Sequence, residues 1–461
     1  MIFFYLAFTL VAGAAAAADD STLTLFKVNK GHCMDGTPAA YYFRPSPSSS
    51  TVWMISLEGG GACYDKTTCT SRSTTALGSS KNYPPQLKQM AAGWMSSSKT
   101  VNPDFYDANI VYVPYCSSDT HRGQQNTTSQ NTFGFYFSGH LNLIEIVKDI
   151  TEKQSPSWNS MTKMLLTGGS AGGIGTIYNA DWLKTMLPTN ALLKAAPLGG
   201  WFFPGNYADQ VQDNRDWSPP SLYPDFIQHK VTDHTLQSVF VNELWKPIIS
   251  KDCAIQNVNQ EYICGTVHVA YHFVKTPLYI MENMYDTNQI TAQGKLPTKI
   301  YDTAQGMKYI QYFGIGMRNS TSLLKKGDGI FLSSCLEHTK GLHIGGTTSI
   351  NGTKLSGSIL GDWFFDRPNP NLITKDSCDV SNNDLPCNPS CRNIHPGPGP
   401  GPSPGPSPSG ECSDELEKDC PRLKYGTPMK CGQCAKSHRS DLEGAGCTVK
   451  SVTALCEARI L

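Results

Sequence analysis

A short apolar run that stops abruptly at a string of small residues constrains this chain more than any other feature. Met164-Leu165-Leu166-Thr167 reads as a buried strand, and it ends at Gly168-Gly169-Ser170-Ala171-Gly172-Gly173. Ile174 to Leu187 then reads as a helix closed by Pro188. A chain that passes from strand to helix over so few residues needs small flanking side chains, because the backbones almost touch. The turn also lifts the central hydroxyl to the start of the helix. The pattern is G-x-S-x-G in its strand–turn–helix context, which makes Ser170 a candidate nucleophile. A glycine-rich turn without chemistry is the competing reading. A phosphate-binding loop is disfavoured, since no Gly-Lys-Ser/Thr follows.

The same alternation extends along the chain. Thr51 to Leu57 and Asn109 to Val113 are apolar runs, Leu141 to Lys148 looks helical, and Leu278 to Met281 is a later strand. Short apolar strands interleaved with helices imply a largely parallel sheet covered on both faces.

A serine nucleophile needs a base to take its proton and an acid to orient that base. Both are expected downstream of Ser170, acid first. Asp286 follows the Leu278–Tyr285 stretch directly, where a strand would deliver it to a loop, and Asp302 and Asp328 are its rivals. Among the histidines beyond it, His395 abuts a proline-rich segment, while spacing leaves His338 and His343 as alternatives. Leu57-Glu58-Gly59-Gly60-Gly61-Ala62-Cys63 ends another strand in glycines. Their unobstructed N–H groups, with that of Ala171, could hold a developing oxyanion; a plain turn is the bland alternative.

Lysine plus arginine equals aspartate plus glutamate, 38 each, which argues against a nucleic-acid binder and against a polybasic membrane binder. Sixteen cysteines point to an oxidising compartment. Residues 1–18 read as a signal peptide with a small-residue cleavage site near Ala18, and no later segment suggests a transmembrane anchor. Asn126, Asn319 and Asn351 head glycosylation sequons. Residues 395–410 alternate proline with glycine and serine and read as a linker between a main domain, 19–394, and a six-cysteine module, 411–461. Disulfides are expected in the module; zinc at Cys431-Gly432-Gln433-Cys434 is the alternative, disfavoured because no second such pair follows. In the main domain, Cys63 with Cys69 and Cys253 with Cys264 are near enough in sequence to be local pairs. The remaining six cysteines (Cys33, Cys116, Cys335, Cys378, Cys387 and Cys391) are left open.

From about Cys33 to Cys391 the chain resembles the pectin acetylesterase family, which also contains the Notum carboxylesterases. The resemblance is carried by Cys33-Met34-Asp35-Gly36-Thr37-Pro38, the Leu57–Cys63 stretch, Pro114-Tyr115-Cys116-Ser117-Ser118-Asp119, Gly169-Ser170-Ala171-Gly172-Gly173, Tyr285-Asp286-Thr287-Asn288-Gln289, Cys335-Leu336-Glu337-His338 and Cys387-Asn388-Pro389-Ser390-Cys391, in that order. It implies an α/β fold of the α/β-hydrolase-like kind, a mostly parallel sheet flanked by helices, with the small disulfide-rich C-terminal module added. It also implies a serine carboxylesterase with Ser170 as nucleophile, Asp286 as acid and His338 as base. The implied oxyanion donors are Gly60 or Gly61 and Ala171. Asp119 and Trp201 fall in stretches that resemble the family's pocket surroundings. The family's tryptophan beside the oxyanion glycines is missing here, where Ala62 stands.

The expected reaction is hydrolysis of O-acetyl esters on pectin or another extracellular polysaccharide, with no cofactor and no metal, by a protein secreted to the extracellular space or cell wall. The alternatives are removal of a fatty acyl group from a secreted protein, and an inactive hydrolase-fold binding protein. The C-terminal module is left with a carbohydrate or a surface as its expected partner, or with a role in stability.

Overall fold

The computed structural model describes residues 22–88, 93–154, 158–202, 243–293, 304–342, 346–355, 359–377 and 387–391. Within the chain, Met1–Arg392 and Asn393–Leu461 are separate compact units. Residues 1–18, 395–410 and 411–461, which the sequence suggests are a signal peptide, a linker and a six-cysteine module, lie outside the described residues, as do His343 and Asp302.

Among the described residues the first unit is built on one ten-stranded sheet. Its strands are β1 (Leu23–His32), β2 (Pro38–Arg44), β3 (Val52–Leu57), β4 (Gln86–Leu87), β5 (Asn109–Val113), β6 (Lys163–Gly169), β7 (Leu192–Leu198), β8 (Tyr279–Asn283) and β9 (Gly329–Ser333). A two-stranded ribbon, β10 (Ser349–Ile350) with β11 (Thr353–Lys354), stands apart, and β12 (Ile373–Lys375) closes the list of strands. The order across the large sheet is β12-β9-β8-β7-β6-β3-β5-β2-β1-β4. From β12 to β5 every neighbouring pair is parallel, whereas β2, β1 and β4 add on antiparallel.

The central strands are apolar on both faces because both faces are covered. Side chains alternate strictly: Trp53 and Ile55 of β3 join one core with Leu143 and Ile146, while Met54 between them joins the opposite core with Phe105 and Trp363. The first core is roofed by α2 (Gly139–Lys153) and α3 (Ala171–Met186). A shorter helix, α1 (Lys66–Ser73), follows the glycine loop after β3.

The helix read from Ile174 begins three residues earlier, at Ala171, since Ser170 itself is the N-cap and the glycines after it are helical. The parallel sheet covered by helices is the fold class read from the sequence; the antiparallel β1–β2 edge was not read, because β1 mixes lysines and an asparagine into its pattern.

Candidate active site

Parallel strands all end at one edge, and loops leaving β3, β5, β6, β8 and β9 meet there. Ser170 stands at the end of β6 with φ +56° and ψ −119°. Its N–H donates to Leu198 O (2.8 Å) and its carbonyl accepts from Ile174 N–H (3.0 Å), which fixes the sharp turn. The turn is tight enough that a Cβ on Gly172 would stand 2.1 Å from Leu57 O.

Asp286 lies beyond β8 and His338 beyond β9. The imidazole bridges the other two side chains: Nε2 is 2.7 Å from Ser170 Oγ, and Nδ1 is 2.6 Å from Asp286 Oδ2. Asp286 is fully buried, and its Oδ1 accepts from Asn288 N–H (2.8 Å) and Gln289 N–H (3.0 Å). Asn283 Nδ2 donates to His338 O (2.9 Å) and Ser333 Oγ donates to Asn283 Oδ1, so the end of β9 and the histidine loop are tied to β8. The rings of Phe202 and His338 stand nearly perpendicular, 6.0 Å apart between centroids. Asp328, the rival acid, is occupied elsewhere: it accepts from Tyr271 OH (2.6 Å) and Leu278 N–H (2.9 Å).

The glycine loop after β3 lies against the serine: a Cβ on Gly59 would be 3.1 Å from Ser170 Cβ. Among the described residues none accepts from the N–H of Gly60 or Gly61. Ala171 opens α3, so its N–H has no intrahelical acceptor. These three donors are therefore available to a ligand.

The loop is held from behind. Arg72, on α1, donates through Nη2 to Gly60 O (2.7 Å) and through Nε to Ser118 Oγ (2.8 Å). Glu58 Oε2 accepts from Tyr115 N–H (2.7 Å), and burial raises this carboxyl above its usual range. His121, stacked on Tyr115, donates through Nε2 to Glu58 O (2.8 Å); burial lowers its pKa to about 4, so the ring is neutral. Nothing in the local sequence singles out Arg72 or His121; each acts through a contact many residues away in the chain.

The two residues expected around a substrate are both buried. Asp119 is 0% exposed; its carboxylate accepts from Ser117 Oγ (2.6 Å) and from Gly139 N–H (2.7 Å) at the start of α2. Burial pushes its pKa up to about 6. Trp201 is 1% exposed and packs in the core against Tyr271, with its indole N–H donating to Ser320 Oγ (3.0 Å).

Disulfides join Cys63 to Cys69 and Cys253 to Cys264, and two further pairs are Cys33–Cys116 and Cys335–Cys391. Cys387 is also disulfide-bonded. Of the sequon asparagines, Asn126 and Asn351 are exposed, and Asn319 is half-buried near the end of the helix Ala304–Ser320.

Comparison with known proteins agrees with this architecture. The chain is 32% identical over 317 residues to palmitoleoyl-protein carboxylesterase notum1a of Danio rerio, a match covering 66% of this chain and 58% of that protein. It is 28% identical over 415 residues to pectin acetylesterase 4 of Arabidopsis thaliana, covering 84% and 93% respectively. The crystal structure of the Wnt deacylase Notum from Drosophila shares the fold, with a TM-score of 0.66 at 24% identity over 80% of this chain and 99% of the other. The chain spans little more than half the length of the Notum relatives from Danio rerio and Schmidtea mediterranea, 58% and 55%. Residues 14–392 match the family model described as pectinacetylesterase, and the chain belongs to that family.

Proposed function

We propose that this protein is a secreted serine carboxylesterase that hydrolyses O-acetyl esters of an extracellular polysaccharide such as pectin. The observation that carries the reading is the continuous hydrogen-bonded line from Ser170 Oγ through His338 to Asp286, with both links at or below 2.7 Å. Nε2 of His338 takes the Oγ proton as Oγ attacks the ester carbonyl. The oxyanion is received by the N–H groups of Gly60 or Gly61 and of Ala171; one such donor typically contributes about 3 kcal/mol of barrier lowering. The carbon–oxygen bond to the sugar breaks, and the alcohol leaves with the proton from His338. Water then repeats the sequence on the acetyl-serine, its proton passing to His338 and back to Oγ, and acetate is released. Disulfides in the main domain support secretion, since such bonds persist in oxidising compartments.

A second reading, cleavage of a fatty acyl ester from a secreted protein, is favoured by the identity to proteins named palmitoleoyl-protein carboxylesterases. The deciding assay compares aryl acetate, aryl octanoate and acetylated pectin. Preference for acetate with release of acetic acid from pectin is expected, and preference for octanoate would favour the second reading. Ser170→Ala should lower kcat by at least about 10³-fold; undiminished turnover would remove Ser170 as nucleophile.

A further inference from the structure

Two carboxyl groups stand at the buried end of the Ser170–His338–Asp286 line. Glu282, in β8, and Asp286 are both 0% exposed, and their carboxyl groups lie close enough to act on each other directly. Their surroundings differ. Asp286 collects three N–H donors: the backbones of Asn288 and Gln289, and Nδ1 of His338. Glu282 collects two, both backbone: Trp201 N–H on Oε2 (2.9 Å) and Asn283 N–H on Oε1 (3.0 Å). Among the described residues no cation bears on Glu282; the charged group beside it is Asp286, with His338 beyond.

Two carboxylates in contact inside a protein do not both ionise, because repulsion and lost hydration together outweigh the cost of keeping one proton. The proton stays on the group with fewer donors. We propose that Glu282 is a neutral carboxylic acid whose O–H donates to Asp286, making it a positioning residue that fixes the Asp286 carboxylate where it meets His338. Burial and the neighbouring Asp286 carboxylate hold the Glu282 carboxyl well above the ordinary range, in agreement with this geometry. The backbone of Trp201 thus anchors Glu282, Glu282 anchors Asp286, and Asp286 orients the imidazole. A neutral donor suits this place: it holds the aspartate without bringing a second negative charge to the base.

The inference rests on the reading of Ser170, His338 and Asp286 as the reacting group. The experiment measures kcat and KM on an aryl acetate across pH for the full-length protein, Glu282→Gln, Glu282→Leu and Ser170→Ala. Glu282→Gln keeps the shape, the neutrality and an N–H donor, though it loses one acceptor for a backbone N–H. Its kcat/KM should stay within about tenfold of the parent, with the acidic limb of the profile in the same place. Glu282→Leu removes the donor, and kcat should fall roughly 10²-fold with KM within about twofold.

Were Glu282 ionised, Glu282→Gln would delete a negative charge near the imidazole. The acidic limb would then move down by about one pH unit or more, which would overturn the proposal. Full activity in Glu282→Leu would overturn it equally. If Glu282→Leu does not fold, the limb position in Glu282→Gln decides alone. Undiminished activity in Ser170→Ala would instead sink the underlying esterase reading, whatever the Glu282 variants do.

Discussion

Ser170 holds a backbone conformation that side-chain-bearing residues avoid, at φ +56°. Such a residue stores about 1–3 kcal/mol, and the surrounding structure must hold it there. The sequence around it shows how: Gly172 lets the turn press against Leu57 O, and Gly59 lets the loop after β3 approach. The strain gives a test independent of chemistry. Ser170→Gly and Ser170→Ala should both be inactive, yet the glycine variant should unfold at higher denaturant concentration, by about 1 kcal/mol, since glycine accepts positive φ. Equal stability of the two would mean that the turn is relaxed. A second residue-scale test concerns Gly59, where an added Cβ would stand 2.4 Å from Gly169 O. Gly59→Ala must therefore move the loop, and kcat on an aryl acetate should fall on the order of 10²-fold. At this scale the sequence was readable where the chemistry is local. The Gly168–Gly173 turn announced Ser170, whereas Glu282 looked like an ordinary strand residue, because its role comes from Trp201 and Asp286 arriving from other parts of the chain.

The element that most affects the proposed oxyanion loop is α1. Eight residues are too few for a stable helix in water. Here Asp65 and Thr68 form a reciprocal capping box, with Thr68 N–H to Asp65 Oδ1 at 2.8 Å, and the Cys63–Cys69 disulfide ties the helix to the loop. So anchored, α1 carries Arg72 to Gly60 O. In a trans peptide the carbonyl and the next N–H point to opposite sides, so a carbonyl held by Arg72 turns the N–H of Gly61 away from α1. Arg72→Met should lower kcat roughly tenfold or more on an aryl acetate, with far-UV circular dichroism unchanged; wild-type kcat would show that the loop sets itself. Helix α1 was not read from the sequence, since its run of threonines and serines has no apolar stripe. Strands β3, β5, β6 and β8 were read to within two residues at each end, because continuous apolar stretches mark strands buried on both faces.

At the scale of the whole molecule, two buried groups near the loop after β5 oppose each other as pH changes. The folded chain holds His121 near pKa 4 against about 6.5 when free, so its contribution is complete above pH 6.5 and is lost as pH falls toward 4. Asp119, raised to about 6, acts in the other sense: its contribution is present at low pH and fades as pH rises from about 4 to 6. His121→Gln can still donate to Glu58 O but does not titrate. Between pH 7 and 4.5 it should lose about 2 kcal/mol less stability than the parent in denaturant melts. An identical loss would show that His121 is accessible to protons when folded. Cys335–Cys391 spans 56 residues, and removing it by paired serine substitution should cost about 4 kcal/mol in the chain-entropy model.

The choice of His338 over His343 shows where residue spacing runs out: both follow Asp286, and only the Cys335–His338 motif of the family resemblance separated them. None of the four paired bridges lies between strands of the parallel sheet; each fastens loops or short helices around it. Scaffold and reactive geometry are thus secured by different bonds. Made in a reducing cytoplasm, the same chain loses all four of these bridges, so it should yield poorly folded material with little turnover, and oxidative refolding should restore the rate and the native circular dichroism spectrum together. For a protein like this, yield is a poor guide to quality, and turnover per disulfide-bonded molecule is the figure to follow.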